Sequence, residues 1–355
     1  MTHEARKAYE VVLRRIHKAK NQSSLWLQRG GMEALFDLRN LGLTEIPPEI
    51  GQLTDLKQLN LTGNSLTHLP SEIGHLTALS TLNLTNNPIT CLPPEIGQLT
   101  SLSRLELYGG KLTTLPPEIG QLSALTRLGL SGNQLTKLPL EIGLLSALTT
   151  LDLSYNSLAE LPPQIGQTTD LTTLNLCHNR LKTLPQEIGG LKRLKRLLME
   201  NNKLGSLPHS LLKLKNLQEI TLHGNKALGL PSEMLGPRYA ASGSDSEGAA
   251  NPQDILAAYF THRQAVEAEG TEPLMEAKVL VLGEASVGKS CLIAALSKGK
   301  RRTELDGKGT SGIVRRLWEV PVKGEGIAPN PKTRGVETLR LNCEPSSFSW
   351  TAKVG

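Results

Sequence analysis

Aromatic residues are scarce in this chain: Phe, Trp and Tyr together make up 3% of its 355 residues. A core without rings must be filled by aliphatics. Here one of them dominates, because 67 residues are Leu. Such reliance on a single branched side chain implies a small unit copied many times. Long apolar runs are also missing, since no window approaches the roughly 18 consecutive apolar residues of a membrane-spanning helix. Cysteine is sparse too. Cys91, Cys177, Cys291 and Cys343 lie far apart, a spacing that excludes a zinc ribbon or disulfide framework and fits a reducing compartment. The first residues are charged and lead into Arg14 and Arg15 without an apolar signal core. The expectation is a cytoplasmic protein with no transmembrane segment.

Excess charge of one sign is confined to the start. The net charge is +6, and residues 1–33 hold seven Lys/Arg against three Asp/Glu. Residues 34–231 and 232–355 each carry 16 basic against 15 acidic side chains. A basic run from Lys298 to Arg316 is interrupted by Glu304 and Asp306 and has no interleaved aromatics. It reads as a solvated loop, and no nucleic-acid partner is expected.

Against these absences stands an unbroken period. Prolines recur at 47, 70, 93, 116, 139, 162, 185, 208 and 231, always 23 residues apart. In one unit, Leu151 and Leu153 alternate with polar residues, the pattern of a short strand with one buried face. Asn156 follows, with counterparts at Asn64, Asn87, Asn133, Asn179, Asn202 and Asn225, while Leu41 and Gly110 break the ladder. A carboxamide donates and accepts, so these side chains can satisfy loop groups of their own and adjacent coils. Leu158, Leu161 and Ile165 then face the same interior, and Pro162 keeps the return arm extended rather than helical. One unit cannot close its own core, but a stack can. The pattern resembles the leucine-rich repeat in its intracellular 23-residue form. The expected fold is an α/β solenoid of nine repeats over residues 34–235, with parallel strands on a concave side.

The flanks are different. Ala8, Val12, Ile16 and Ala19 recur at helical spacing, so residues 1–33 are expected to form a helical cap on the first repeat. Residues 236–252 have linker composition, and residues 253–270 read as a connecting helix. Concave solenoid surfaces hold partners. The outward strand positions expected to meet a protein partner include Asp37, Arg104, Glu106, Arg127, Asp152, Lys195 and Arg196. Among the histidines, His178 and His223 are expected to face outward there.

Residues 277–282 are apolar and β-branched, a candidate buried strand. Gly283, Glu284, Ala285, Ser286, Val287, Gly288, Lys289 and Ser290 follow, and then a helix-forming run from Cys291. This is the phosphate-binding pattern G-x-x-x-x-G-K-[ST] between strand and helix. Its glycines let backbone N–H groups wrap a phosphate, Lys289 can reach the β- and γ-phosphates, and the Ser290 hydroxyl can ligate Mg²⁺. Cys291 borders the site as a packing residue. The motif alone does not choose guanine over adenine.

Repeats first, then a helix, then this strand and loop resemble the Roco family, in which a Ras-like Roc domain follows leucine-rich repeats. The resemblance implies GTP or GDP with Mg²⁺ and a role in intracellular signal transduction. It assigns residues 271–355 to part of a Roc domain, and Thr333-Arg-Gly335 to switch I, with Thr333 a second Mg²⁺ ligand. Two departures accompany it. Residues 298–331 read as an inserted loop, and no Asp-x-x-Gly or Asn-Lys-x-Asp follows Ser290. The chain is therefore read as a fragment, a truncated form or a degenerate member. The competing readings are a non-catalytic repeat scaffold and an ATP-binding module. No kinase motif is present.

Overall fold

The computed structural model describes residues 3–21, 35–230, 251–268, 276–281 and 337–342. The chain divides into two units, Met1–Tyr259 and Phe260–Gly355. The first unit opens with α1 (His3–Asn21) and continues through β1 (Leu35–Asp37), β2 (Gln58–Asn60), β3 (Thr81–Asn83), β4 (Arg104–Glu106) and β5 (Arg127–Gly129). It proceeds through β6 (Thr150–Asp152), β7 (Thr173–Asn175), β8 (Arg196–Leu198) and β9 (Glu219–Thr221). All nine strands lie in one sheet in chain order. Neighbours are parallel and register is constant, with Leu82 beside Leu105 and Leu105 beside Leu128. The 23-residue period of the sequence is thus the pairing register of the sheet.

Each strand buries its central residue. Leu105, Leu128 and Leu151 are fully buried, as are Ile119, Ile142 and Ile165 on the return arms. Leu158 and Leu161 join the same core. Proline starts every return arm; Pro162 sits at φ −66° and ψ 142°. A single 3-10 turn follows, closed where the Ile165 N–H donates to Pro162 O at 3.0 Å. The glycine after each isoleucine is a packing requirement. A Cβ on Gly120 would lie 2.7 Å from the Glu141 carbonyl oxygen of the next turn.

The asparagine ladder is present and doubly wired. Asn156 Oδ1 accepts the Leu135 N–H at 3.0 Å, and its Nδ2 donates to Leu130 O and Leu153 O, both at 3.0 Å. Leu130 O also receives Asn133 Nδ2 at 2.9 Å, and Leu153 O receives Asn179 Nδ2 at 2.9 Å. Each of these carbonyls is served from two coils. The break at Gly110 is correspondingly mild. Leu84 O keeps Asn87 at 3.0 Å, and Leu107 O keeps Asn133 at 2.7 Å. A second ladder, of hydroxyls, runs just ahead of the strands. Ser80, Ser103, Thr126, Thr149 and Thr172 each donate to the carbonyl 23 residues earlier, at 2.9 to 3.0 Å.

Both ends of the array are covered. In α1, Ala5, Val12 and Ile16 are buried, while Ala8 and Ala19 are half-buried. Arg15 donates to Asp37 O at 3.1 Å and Lys20 to Gln52 Oε1 at 3.0 Å, fixing the helix on the first repeat. At the far end stands α2 (Pro252–Ala268). Its Ile255, Leu256 and Tyr259 are buried. Tyr259 Oη accepts the Leu207 N–H at 3.0 Å, and Gln253 Nε2 donates to Leu214 O at 2.7 Å. The first half of the expected connecting helix is therefore the second cap.

In the second unit, β10 (Glu276–Val281) pairs with β11 (Glu337–Asn342) in antiparallel register, Glu276 opposite Asn342 and Val281 opposite Glu337. The expected linker (236–252) falls mostly outside the described residues, and the inserted loop (298–331) lies wholly outside them.

Candidate interaction face on the sheet

In each three-residue strand the first side chain is exposed or half-buried and the central one buried, while the last is half-buried in β1, β2, β3 and β6 and buried in the other strands. At the last strand position, a short polar side chain usually turns back on its own backbone. Asn60, Asn83, Asp152 and Asn175 accept the N–H two residues on, at 3.0 to 3.1 Å. Asp37 does the same for Arg39, whose guanidinium also pairs with it at 2.8 Å. Hydrogen bonds from Arg39 hold the Asp37 carboxyl below the usual carboxylate range.

The pattern lapses at Leu198 and Thr221, and at Glu106 and Gly129, which are register partners beside Arg104 and Arg127, partners too. Glu106 reaches across the gap over Gly129. Its Oε1 lies 3.1 Å from Arg104 Nε and 3.0 Å from Arg127 Nε. The Arg127 contact is an ion pair without an aligned N–H. Tyr108 completes the group. A Cβ on Gly129 would overlap Glu106 Oε2 and sit 2.5 Å from the Tyr108 hydroxyl, so only glycine leaves room for both. Burial, reinforced by the Glu106 charge, pushes the Tyr108 phenol up to about 12.

The remaining expected contacts scatter. Arg196 pairs with Glu219 at 2.6 Å, and Asp152 Oδ1 also takes the Ser154 hydroxyl at 2.7 Å. Lys195 needs correction: β8 begins at Arg196, so Lys195 precedes the strand. Adjacent residues could not both have faced the same side. Glu106 also differs from expectation, since it is buried beneath the arginines rather than exposed. His178 is not on a strand but in the turn that follows, whereas His223 is half-buried beyond β9.

Those turns form another column. Residues 40, 63, 86, 109, 132, 155, 178, 201 and 224 all have φ between 53° and 77°. Seven are Gly or Asn, which tolerate the left-handed region. Tyr155 and His178 are the exceptions. Their rings stack with centroids 4.1 Å apart and planes 10° from parallel, and Asn201 Nδ2 lies 3.2 Å from His178 Nε2. Tyr155 is largely exposed. Tyr108, Gly129 and the Tyr155–His178 stack were all missed from sequence, although aligning the chain at its period would have marked each as a departure.

The nucleotide motif, residues 283–291, and Thr333 lie outside the described residues. β10 ends two residues before Gly283. Among the described residues no group of His, Cys, Asp or Glu is placed to hold a metal ion. No described helix is long and apolar enough to cross a membrane. Cys177 is buried and burial pushes its thiol up to about 12, whereas Cys91 is exposed.

Comparison with known proteins agrees on the array. Residues 26–111 and 47–129 match the family described as leucine-rich repeat region, and 169–226 and 147–168 match two further leucine-rich repeat families. Among solved structures, the leucine-rich-repeat domain of the type III effector XopL is 25% identical. The match covers 65% of this chain and 85% of that one, with a TM-score of 0.51. A leucine-rich-repeat protein of Leptospira interrogans is 44% identical over 51% of this chain and 46% of its own, TM-score 0.49. A TDR receptor is 33% identical over 52% of this chain and 33% of its own, TM-score 0.48. This chain therefore spans less than half the length of the last two. No curated protein matches the chain. Residues 35–230 are a leucine-rich-repeat solenoid, a protein-interaction module.

Proposed function

We propose that this leucine-rich-repeat solenoid binds a protein partner on the solvent side of its sheet, within a Roco-type regulatory GTP-binding protein that acts in signal transduction. One observation carries the first half. On the sheet face Arg104 and Arg127 adjoin across neighbouring strands, and Tyr108 stands beside them where the adjacent repeats carry Thr85 and Ser131; Arg and Tyr are the residue types enriched where interfaces hold their energy. The test introduces bulk. Thr150→Trp and Thr173→Trp on the sheet face should abolish co-purification of a partner from cell extract, while Glu118→Trp on a return arm should not. Loss with the return-arm variant alone would refute this placement.

The second half rests on the sequence from Gly283 to Ser290 and on the order of repeats, helix and strand. Its donor set suits a magnesium-bound triphosphate: backbone N–H groups, the Lys289 ammonium and the Ser290 hydroxyl. Thr333 is proposed as a second hydroxyl for the ion. Mg²⁺ would neutralise phosphate charge when bound. With no Asn-Lys-x-Asp after Ser290 to read the base and no Asp-x-x-Gly to position water, this chain should bind triphosphate weakly and not turn it over. Titration with fluorescent GTP and ATP analogues, with and without EDTA, tests it. Lys289→Ala should abolish a magnesium-dependent signal. Binding unaffected by that substitution or by EDTA would leave the chain as a repeat scaffold.

A further inference from the structure

The cluster around Glu106 also indicates what kind of partner segment the sheet face takes. Arg104 and Arg127 stand directly opposite each other on adjacent strands, where like charges repel. Glu106 answers both, but from below. Its side chain is 9% exposed, against 49% for Arg104 and 42% for Arg127. Among the described residues, Glu106 is the only carboxylate paired with either arginine. Both Nε atoms lie within 3.1 Å of its Oε1, and the two arginine side chains remain about half exposed above it. One carboxylate against two guanidiniums leaves an excess positive charge, and an approaching ligand meets the cations with their counter-charge submerged. Gly129 permits this arrangement, because any side chain there would expel the carboxylate and Tyr108 together. Tyr108 adds a rigid surface beside the guanidiniums, with a hydroxyl that Arg127 engages.

We infer that Arg104 and Arg127, with Tyr108 beside them, anchor an acidic segment of the protein partner by seating an aspartate or glutamate carboxylate between the two guanidinium ends. The inference rests on the sheet-face reading above and narrows it. Carboxylates pair with guanidinium through short, charge-assisted and often bidentate bonds. A phosphate polyanion fits less well. Its charge repeats every few ångströms, and the neighbouring strand presents Asp152, which is only half-buried, in the column of Glu106.

The experiment uses the full chain and a fluorescein-labelled peptide of alternating Glu and Ser, followed by anisotropy at low salt. Saturable binding is expected, weakening as salt rises because exposed charges are screened. The matched Lys–Ser peptide should not bind. In the Arg104→Gln/Glu106→Gln/Arg127→Gln variant, no charge is left unpaired beneath the surface, so folding should survive while affinity falls at least about tenfold. Glu106→Gln alone should strengthen binding by removing the submerged counter-charge. Unchanged affinity in the triple variant overturns the inference, and so does equal binding of the Lys–Ser peptide. A single-stranded oligonucleotide that binds as well, and is lost in the same variant, would replace the acidic peptide with phosphate. If Thr150→Trp and Thr173→Trp abolish partner capture while the triple variant keeps both partner and peptide, the sheet-face reading stands and the anchor falls. If neither set has any effect, both fall.

Discussion

Removing Asn156 tests the wiring of the array, because the ladder makes a non-additive prediction. Asn156→Ala deletes the bonds to Leu135 N–H, Leu130 O, Leu153 O and Ser154 O. Only the first of these groups is left without another partner, since Ser154 O keeps the Gly132 N–H. Leu130 O still has Asn133, and Leu153 O still has Asn179. The single substitution should therefore cost what one buried orphan donor costs, about 1–3 kcal/mol. Asn133→Ala should cost more, because it strands both the Leu112 N–H and Leu107 O, which has no second asparagine since residue 110 is Gly, while Leu130 O keeps Asn156. The double variant is different, because Leu130 O then has neither asparagine. Its cost should exceed the sum of the singles by about 1–3 kcal/mol, the desolvation of one more unpaired group. Asn156 and Asn202 share no carbonyl, since Asn202 serves Leu176 O and Met199 O. That pair should add within about 0.5 kcal/mol. Urea unfolding followed by far-UV circular dichroism measures all five variants. Additivity for Asn133 and Asn156, equal to that of the distant pair, would refute the shared-carbonyl account.

Gly110→Asn should stabilise the array by about 1 kcal/mol, since a carboxamide there would give the buried Ile89 N–H the acceptor that its counterparts have. The Asn133 Oδ1 must shift to admit the new Cβ, now 2.5 Å away, and a lower thermal midpoint would show that it cannot. Gly132→Val should cost at least about 1–2 kcal/mol, because φ there is +72° and the left-handed region is unfavourable for a branched residue. Gly132→Asn should be nearly neutral by the same unfolding measurement. Tyr108 favours its neutral form in the fold, at about 12. Its contribution is intact below the unfolded tyrosine value near 10 and is lost as pH rises from there to about 12. The 295 nm absorbance difference between wild type and Tyr108→Phe should therefore show almost no ionisation at pH 10.5, and ordinary titration would contradict the burial.

Legibility differed by feature, and the reasons are physical. A fixed repeat length forces a fixed register, so the pairing of Leu105 with Leu128 was readable from the prolines alone. Asn156 was readable because a buried carboxamide at a constant offset has few uses other than bonding backbone. Facing was harder. A three-residue strand has too little alternation to mark its start, which is how Lys195 came to be placed on the sheet beside Arg196. The depth of a charged side chain was harder still. Glu106 has the same sequence offset as Asp152, and only the missing side chain at Gly129 lets it sink. The break at Gly110 could not be weighed from one repeat, because the second asparagine on each carbonyl is a property of neighbouring coils.

That sharing explains how the array can vary at its surface without losing its fold. The buried leucines, the asparagines and the Ser/Thr hydroxyls bond backward or forward by one repeat, so cohesion is set between neighbours. None of those bonds uses the solvent-facing side chains of the strands. The first strand position can therefore hold Thr, Gln, Glu or Arg without touching the core, and at Arg104 and Arg127 Glu106 with Gly129 offsets the repulsion the arginines create. The stacked Tyr155 and His178 follow the same logic on the turns. Each occupies a backbone conformation costing about 1–2 kcal/mol for a bulky residue, and ring stacking returns about 0.5–1.5 kcal/mol. A departure that restores its own cost locally can persist in one repeat while the others stay alike. In such a protein the core identifies the fold, and the surface is free to vary from one repeat to the next.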